Sequence, residues 1–462
     1  MGPARILRVA AAAFVLAWFV WFARDGLYAR FAPDDMMNLH GYWEPGIWRS
    51  ILSNFLIGTN ALRPMGAVFY LPLFEIFGLN PLPFRIAIFV VLMSNVYLVY
   101  RVARLLGCCE LAAGLAALIT CYHAGLADLH YSTATVYDVL CFFFYFGALI
   151  YYLRIRREGR PLRPREWVVF FALFVCALNS KEMAVTLPVM LLVYEWLYHQ
   201  RREVWPALAA GALTAVYIVG KKFGADPLMA QEAYRPVFTL ARFLDSSTLQ
   251  LNELLYGGSF FTTKRVIMLW IAMAVMVLVR RRPRPELRFA LLFLWISPLP
   301  IVFLQGRTHS CLYILLAGWA IFSAVVFADL VNAIAGRRTA TRLALAAAGV
   351  VLLARTTVIH KRKVMPEYAR NGELTAQVIQ QFREANPRVD RGSWVLLVDD
   401  PFRDWDAKFI ADLWFRDRSV TVWLQNKVPF SDREIHEKMK YIFRFESGRI
   451  VKLDPAAFHV PL

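Results

Sequence analysis

Acidic residues and cysteine are scarce in this sequence of 462 residues. Only 34 Asp and Glu stand against 52 Lys and Arg, and charged residues of both signs make up just 19% of the chain. The six cysteines lie in or beside apolar runs, and none occurs after residue 360. A disulfide framework is therefore not expected, and no Cys/His spacing matches a zinc site.

Apolar and aromatic residues are abundant instead. Hydrophobic residues make up 58% of the chain, aromatic residues 15%, and the mean hydropathy is +0.46. These values lie well on the apolar side of an average globular domain. They indicate a polytopic membrane protein and exclude a disordered, collagen-like or small disulfide-bonded chain.

The net charge of +18 is distributed unevenly along the chain. Residues 361–462 hold 18 basic and 15 acidic residues, so most of the excess belongs to the hydrophobic part. There it forms short clusters between apolar runs, which is typical of membrane topology and not of a nucleic-acid-binding groove. The expected partner is therefore a lipid bilayer, and no nucleic acid is expected.

Eleven apolar runs approach the roughly 20 residues that a membrane-spanning helix needs. They are Ile6–Ala23, Arg85–Leu106, Leu111–Ala127, Thr135–Leu153, Trp167–Leu178, Ala184–Tyr198, Trp205–Val219, Val266–Val279, Leu287–Leu304, Cys311–Leu330 and Arg342–Ile359. Trp167–Leu178 is the shortest. Arg63, two prolines and Glu75 interrupt the apolar segment Leu62–Phe77, which predicts an interfacial helix and not a span.

Basic clusters indicate which side of the membrane each connection occupies. With the N-terminus inside, Arg5/Arg8, Arg101/Arg104, Arg154–Arg165, Arg201/Arg202, Arg280–Arg288 and Arg337–Arg342 all fall on the cytoplasmic side. This is the arrangement that the positive-inside rule requires. An odd number of spans then places residues 361–462 outside. We expect an integral protein of a bacterial inner membrane with a periplasmic or extracellular C-terminal tail.

Two domains are expected. Residues 1–360 form an all-α polytopic bundle of about 11 transmembrane helices, with long outer loops at residues 24–84 and 221–265. Residues 361–462, called the tail below, form a small extracytoplasmic α/β domain. Its predicted elements are strands at Trp394–Val398 and Val420–Leu424, a hairpin of Tyr441–Phe445 and Arg449–Leu453 around Ser447-Gly448, and helices at Glu373–Ala385 and Lys408–Phe415.

The acidic pair Asp34-Asp35 follows the first span by about ten residues. Two adjacent carboxylates repel each other, so one has a raised pKa unless a cation or a proton is shared. Such a pair suits a general base or a ligand set for a divalent cation, Mg or Mn. The structural alternative is a solvated turn in which Asp34 caps the following helix.

Two further groups of residues lie at the predicted outer face. Lys181-Glu182 opens the sixth span and could grip a phosphate as a pair, although a snorkelling pair at a helix end is the common alternative. Arg307, with His309 and Tyr313, lies at the outer end of the ninth span, against the positive-inside trend. Its alternative is a lone arginine that binds lipid headgroups.

Weaker candidates are His123, Asp128, His130 and Asp138. Asp138 lies within an apolar run, where an ionisable side chain is energetically costly and is functional by default. It could equally bond a neighbouring helix.

The pattern of these motifs resembles the GT-C superfamily, multi-spanning glycosyltransferases that use polyprenyl-phosphate sugars. The resemblance rests on the Asp-Asp pair in the first outer loop, Arg63-Pro64, Gly78-Leu-Asn-Pro81 and Ser180-Lys-Glu182. It covers residues 1–330, and the nearest likeness is to the protein O-mannosyltransferase-like and TPR-bearing branches. His309-Ser-Cys replaces the more usual Arg-containing stretch, and no TPR array follows.

The resemblance implies a catalytic role for Asp34 and Asp35. It implies contacts with the donor for Arg63, Lys181, Glu182, Arg307, His309 and Tyr313. The sequence therefore predicts an inverting glycosyltransferase that moves a sugar from a polyprenyl-phosphate donor to a hydroxyl of a protein, glycan or lipid acceptor. One of the two aspartates would act as the base, and the cations would stabilise the departing phosphate.

Two other function classes remain open from sequence. A flippase or transporter of lipid-linked sugars would favour paired half-repeats and broken midplane helices, and neither is visible. A non-catalytic membrane scaffold that displays the tail would leave the outer acidic pair unexplained.

The topology is tested by a single cysteine placed at Ser447 in a background without the six native cysteines. A membrane-impermeant maleimide added to intact cells should label it, because the tail is predicted to lie outside. The cysteine-free parent is the control. Labelling only after the membrane is permeabilised would contradict the assignment.

Overall fold

The computed structural model describes residues 3–57, 62–223, 232–279, 284–446 and 448–459. Among the residues used above, Arg280, Arg281, Arg282 and Ser447 lie outside these ranges. The membrane part of the chain is helical. Its helices are α1 (Pro3–Ala23), α2 (Pro33–Trp43), α3 (Ile47–Leu52), α4 (Pro64–Phe77), α5 (Pro81–Leu105), α6 (Glu110–Cys121), α7 (Asp128–Tyr131), α8 (Val136–Arg157), α9 (Pro164–Leu178), α10 (Leu187–Tyr198), α11 (Trp205–Phe223), α12 (Leu240–Leu254), α13 (Thr263–Leu278), α14 (Pro285–Ile296), α15 (Leu299–Val302), α16 (Tyr313–Ala335) and α17 (Thr339–Arg370).

The predicted apolar runs all contain helix, but their number as spans is not confirmed. Within the described ranges, six helical segments are long and apolar enough to cross a membrane. They are Val9–Tyr28, Pro81–Leu105, Val136–Arg157, Pro285–Val302, His309–Ala335 and Thr339–Ala385. The remaining runs form helices that are shorter or less apolar. The fold is thus a mostly helical bundle with several apolar helices, and the count of eleven stays a prediction.

Start and stop signals explain several helix boundaries. Pro64 and Pro81 occupy the first turns of α4 and α5, where a missing backbone N–H costs nothing. The Asn80 side chain accepts a hydrogen bond from Leu82 N (3.2 Å) and so caps α5. The predicted interfacial helix at Leu62–Phe77 is therefore present as α4. Helix α12 in the second outer loop was not predicted.

The tail contains a four-stranded sheet and three helices. Its elements are α18 (Glu373–Ala385), β1 (Trp394–Val398), α19 (Asp406–Phe415), β2 (Thr421–Leu424), α20 (Asp432–Lys438), β3 (Tyr441–Glu446) and β4 (Arg449–Leu453). The strand order is β2-β1-β3-β4, with β1 parallel to both β2 and β3, and with β3 and β4 antiparallel. All predicted strands and helices of the tail are confirmed.

Helix α20 was missed, although the sequence carries a signal for it. Ser431 and Glu434 form a capping box, in which Glu434 N donates to Ser431 Oγ (3.3 Å) and Ser431 N donates to Glu434 Oε2 (3.1 Å). A serine followed three residues later by glutamate is the sequence signature of this motif.

The chain enters the tail without a break at residue 360. Helix α17 continues to Arg370, beyond the predicted end of the last span at Ile359. Lys361 holds this extension against the first outer loop, because its Nζ donates to Phe22 O (2.7 Å) and to Asp25 Oδ2 (2.5 Å). The separately packed part of the tail therefore begins at α18.

The tail packs against α2 and the end of α4. His40 Nε2 lies 2.8 Å from Asp412 Oδ2, and the His40 ring stacks on Phe409 with a centroid distance of 4.8 Å. Arg418 donates two hydrogen bonds to Trp43 O (2.9 and 2.6 Å), and Arg416 donates to Phe74 O (3.2 Å). These contacts place the tail on the same side of the bundle as the first outer loop, as the predicted topology requires.

Candidate active site

Asp35 is a buried structural residue. Its side chain is completely shielded from solvent and pairs with Arg85 at 3.1 Å. The same carboxylate accepts hydrogen bonds from Ala32 N (2.9 Å), Ser132 Oγ (2.7 Å) and Ala134 N (2.7 Å). It is Asp35, and not Asp34, that caps α2. Both of its oxygens are already engaged, so Asp35 is poorly placed to accept a proton from a substrate.

Asp34 differs from its neighbour because its side chain faces solvent at the start of α2. Partial desolvation and the charge of Asp35 raise the pKa of Asp34 above its ordinary value. An exposed carboxylate with a raised pKa is suited to accept a proton. The two adjacent aspartates, which the sequence treats as equivalent, thus have different surroundings.

Helix α2 is linked to the second predicted group through Tyr137. The Tyr137 hydroxyl donates to Asn38 Oδ1 (2.7 Å), one turn along α2 from Asp34. The guanidinium of Arg63 lies over the Tyr137 ring, 5.0 Å from its centroid. Arg63 in turn donates to both carboxylate oxygens of Glu182, at 3.1 and 3.0 Å.

Lys181 and Glu182 are paired with different residues and not with each other; their contact with a donor stays a prediction. Lys181 Nζ lies 2.6 Å from both carboxylate oxygens of Asp138, and Glu182 pairs with Arg63. Asp138, a weak candidate from sequence, therefore bonds the neighbouring segment. Lys181 Nζ also lies 3.4 Å from Cys311 Sγ, which brings the turn after the ninth span to this group.

A third cation, Lys221, was missed by the sequence analysis. It is buried at the end of α11, 5.8 Å from the Tyr217 ring, and its Nζ makes only a long contact with Leu62 O (3.4 Å). No carboxylate lies within salt-bridge distance of it in the described part of the chain. We call Arg63, Lys181 and Lys221 the cationic cluster. Its three charges face two carboxylates, Glu182 and Asp138.

Lys221 and Arg63 are close enough for their charges to interact, as are Lys181 and Arg63. A pattern search could not have found Lys221, because a lysine at the end of an apolar run normally reads as a snorkelling residue. Only its burial reveals that it faces the interior.

The Arg307 turn contains one residue that approaches the cluster and two that do not contact it. His309 Nδ1 pairs with Glu253 Oε1 at 2.8 Å. Arg307 stacks on Tyr234 at 4.2 Å and donates to Ala233 O (2.8 Å). The turn therefore meets the cluster through Cys311, and Arg307 itself lies at the edge of the second outer loop.

Tyr313 does not belong to this surface. Its side chain is 2% exposed and stacks on Phe142 with a centroid distance of 4.2 Å. The ring packs between α16 and α8, which is a structural role, and the donor contact stays a prediction without support from this geometry.

Three of the weaker sequence candidates are likewise packed. His123 Nε2 contacts Leu254 O (2.9 Å), His130 stacks on Tyr122 (4.9 Å), and Asp128 Oδ2 accepts a hydrogen bond from Ser310 N (3.0 Å).

The aspartate pair does not form a chelating site for Mg or Mn. Among the described residues, no group of three or more His, Cys, Asp or Glu side chains converges. Asp35 would have to give up hydrogen bonds or its ion pair to bind a cation, so Asp34 is the member of the pair that a cation could reach. A divalent cation at this position stays a prediction.

A narrow apolar cavity lies between α12, α13, α14 and α16. Trp270, Trp295 and Trp319 line it, together with Phe243 and Leu254. Its aromatic and aliphatic walls suit a hydrocarbon chain.

The fold is similar to that of three solved membrane proteins. The apo oligosaccharyltransferase of Archaeoglobus fulgidus aligns with a TM-score of 0.56 and 11% identity, over 94% of this chain and 69% of that chain. The archaeal oligosaccharyltransferase AglB from Archaeoglobus fulgidus was solved in complex with an inhibitory peptide and a dolichol-phosphate. It aligns with a TM-score of 0.53 and 12% identity, over 96% of this chain and 69% of that chain. ArnT from Cupriavidus metallidurans, bound to undecaprenyl phosphate, aligns with a TM-score of 0.52 and 13% identity, over 99% of this chain and 99% of that chain.

These proteins are GT-C glycosyltransferases, so the predicted GT-C fold is confirmed. They do not single out the O-mannosyltransferase branch that the sequence suggested. No protein-family model matches the chain, and no curated protein sequence matches it. At these low identities the likeness concerns the fold.

The different surroundings of the two aspartates predict different effects on stability. Asp35→Asn removes the charge partner of buried Arg85 and should destabilise the protein by about 3–5 kcal/mol. Asp34→Asn is the matched control, because its side chain is exposed and should leave the melting temperature nearly unchanged. Thermal unfolding of the two purified variants measures the difference. Equal melting temperatures would contradict the assignment of roles.

Proposed function

We propose that this chain is a membrane glycosyltransferase that moves a sugar from a polyprenyl-phosphate donor to an acceptor hydroxyl at the extracytoplasmic face. The observation that carries the proposal is an exposed carboxylate, Asp34, connected through Asn38 and Tyr137 to a buried surplus of positive charge. A glycosyltransferase with a lipid-phosphate leaving group needs both elements. The GT-C fold supplies the matching context.

Asp34 is the residue that accepts the proton in this proposal. As the acceptor oxygen attacks the anomeric carbon, its hydroxyl proton passes to the Asp34 carboxylate, and the bond from the sugar to the phosphate oxygen breaks. Attack opposite the leaving group inverts the anomeric configuration. The raised pKa of Asp34 makes its carboxylate a stronger base than an ordinary aspartate, which favours capture of the proton.

Asp35 acts as a positioning residue in the same proposal. It ties the first turn of α2 to Arg85 on α5 and to the turn before α8. The backbone of Asp34 is therefore held rigidly, although its side chain is exposed. A rigid support of this kind keeps a reacting group in place without reorganisation during the reaction.

The cationic cluster binds the departing phosphate. Its three cations exceed its two carboxylates by one charge, and Lys221 has no ionic partner of its own in the described structure. An unneutralised cation in a partly dehydrated site stabilises developing negative charge more than an exposed one does. Arg307 and His309 extend positive charge toward the outer rim.

The lipid chain of the donor would occupy the apolar cavity beside Trp270, Trp295 and Trp319. Undecaprenyl phosphate and dolichol-phosphate are present in two of the similar structures, which supports a donor of this class. The proposed topology has eleven spans, a cytoplasmic N-terminus and an outward-facing tail. Residues 1–360 form the catalytic module in this proposal, and residues 361–462 form the outer domain.

The catalytic assignment predicts the behaviour of Asp34→Asn. The amide keeps the shape of the side chain but cannot accept a proton, so transfer should fall by roughly 10²–10⁴-fold while the protein still folds. In the parent protein, the rate should decline as the pH is lowered through the pKa of Asp34, because protonation removes the base. The assay is sugar transfer from a radiolabelled polyprenyl-phosphate sugar in membranes.

Unchanged turnover in Asp34→Asn would contradict the catalytic role. Movement of intact lipid-linked sugar across the membrane, without transfer, would instead favour the flippase.

The phosphate-binding assignment predicts a different kinetic effect. Lys221→Ala should raise the KM for the lipid donor by roughly 10–100-fold, since a hydrogen bond to a charged group contributes about 1.5–3 kcal/mol. Lys181→Ala and Arg307→Ala should also weaken use of the donor. Lys222→Ala is the matched control, because its side chain is exposed on the same helix. A rise in KM that is equal in Lys221→Ala and Lys222→Ala would indicate only a general charge effect.

A further inference from the structure

The tail has an open cleft of about 460 Å³ at the carboxyl ends of its parallel strands. Strand β1 ends at Val398 and its parallel neighbour β2 ends at Leu424, so the residues that follow each strand meet at one edge of the sheet. In open α/β sheets this edge is the usual place for a ligand. The function proposed above assigns no role to the cleft.

The polar lining of the cleft is acidic and amide. Asp399 and Asp400 follow β1, and Gln425 and Asn426 follow β2. Asp399 is paired with Arg444 at 3.3 Å. Asp400 accepts a hydrogen bond from Phe402 N at Oδ1 (3.0 Å), and its carboxylate also interacts with the Asn426 side chain. The site therefore offers acceptor oxygens and amide donors to a ligand.

The other walls of the cleft are apolar, and Phe430 contributes an aromatic ring. This ring packs edge-on against Trp423 (5.5 Å) and remains partly exposed, so one face is available. No lysine or arginine lines the cleft in the part of the tail that the structure describes. An anionic ligand would meet two carboxylates there and no lining cation, which disfavours its binding.

The position of the cleft relates it to the candidate base. The loop that leaves Asp400 leads into α19, whose first residue, Asp406, is buried and close enough to interact with the charges of both Asp400 and Asp34. Helix α19 then packs along α2 through Phe409 and Asp412. The start of α19 therefore lies between the cleft and Asp34.

We propose that this cleft is an acceptor subsite for an uncharged oligosaccharide. Carboxylate and carboxamide groups bind sugar hydroxyls, and an aromatic ring packs on the apolar face of a pyranose. The assignment of the cleft as an acceptor subsite rests on the proposed glycosyltransferase function, because the assignment specifies the class of acceptor for that reaction. The tail would hold one part of a glycan chain while another hydroxyl of the same chain reaches Asp34.

The test measures binding and needs no transfer. Saturation-transfer difference NMR is recorded on the full-length protein in lipid nanodiscs, with chitobiose and mannobiose as uncharged probes and digalacturonate as an anionic one. At least one uncharged disaccharide should receive saturation, and its signal should fall several-fold in Asn426→Ala and in Phe430→Ala. Digalacturonate should receive little.

Gln380→Ala is the matched control, since it removes an exposed amide from α18, outside the cleft. Melting temperatures confirm that each variant is folded. If Phe430→Ala unfolds the tail, the test uses Asn426→Ala, which changes an exposed side chain, and the conservative variant Phe430→Leu. Three results would each overturn the proposal. They are no saturation of either uncharged disaccharide, saturation of digalacturonate equal to that of the uncharged probes, and disaccharide binding that is unchanged in Asn426→Ala.

Asp34→Asn separates this inference from the proposed function. The variant should bind the disaccharide as the parent does, because Asp34 is not part of the cleft. Disaccharide binding by a parent protein that transfers no sugar would refute the proposed function and leave a carbohydrate site. Transfer without binding at the cleft would refute only the acceptor subsite.

Discussion

The buried ion pair between Asp35 and Arg85 is the interaction on which the geometry of the site depends. Arg85 also donates to the carbonyl oxygens of Ala29 (3.2 Å) and Arg30 (2.6 Å), while Asp35 accepts two hydrogen bonds from the turn before α8. One carboxylate thus joins α2, α5 and α8. Because a buried charge is costly without such partners, the three segments have essentially one way to meet. That arrangement leaves Asp34, one residue earlier, facing outward.

The remaining charges of the outer face form discrete pairs with one cation in excess. Arg63 is paired with Glu182, Lys181 is paired with Asp138, and Lys221 is buried among aromatic and backbone groups. The two pairs hold their side chains in fixed positions, and Lys221, which has no ionic partner among the described residues, supplies the net charge. In the proposed function, a phosphate would therefore be bound without breaking an existing ion pair, which is the electrostatic preorganisation that phosphate departure requires.

Helix α2 and the tail pack together, and this contact fixes the position of the tail relative to Asp34. His40, which lies on the same helix as Asp34, contacts both Phe409 and Asp412 of α19. Arg418 and Arg416 bind backbone carbonyls of the first outer loop at two further points. Since the contact combines apolar stacking with buried polar pairs, the tail has a defined orientation over the loop. In the proposed function, the cleft on the tail sheet and Asp34 on the loop would then act on one acceptor.

The sequence by itself determined the helical membrane part, the α/β tail and the place of the acidic pair in the loop after the first apolar run. Apolar runs and the alternation of apolar and polar residues in strands show which residues are buried in apolar surroundings. Predictions of helices and strands made from these patterns therefore do not depend on which segments pack against them. Tertiary structure alone decided which aspartate is exposed, that Lys181 and Glu182 bind separate partners, that Tyr313 is buried and that Lys221 faces inward. These properties depend on which segments meet across long stretches of chain. Adjacent residues such as Asp34 and Asp35 have nearly identical local sequence, and only packing makes them different.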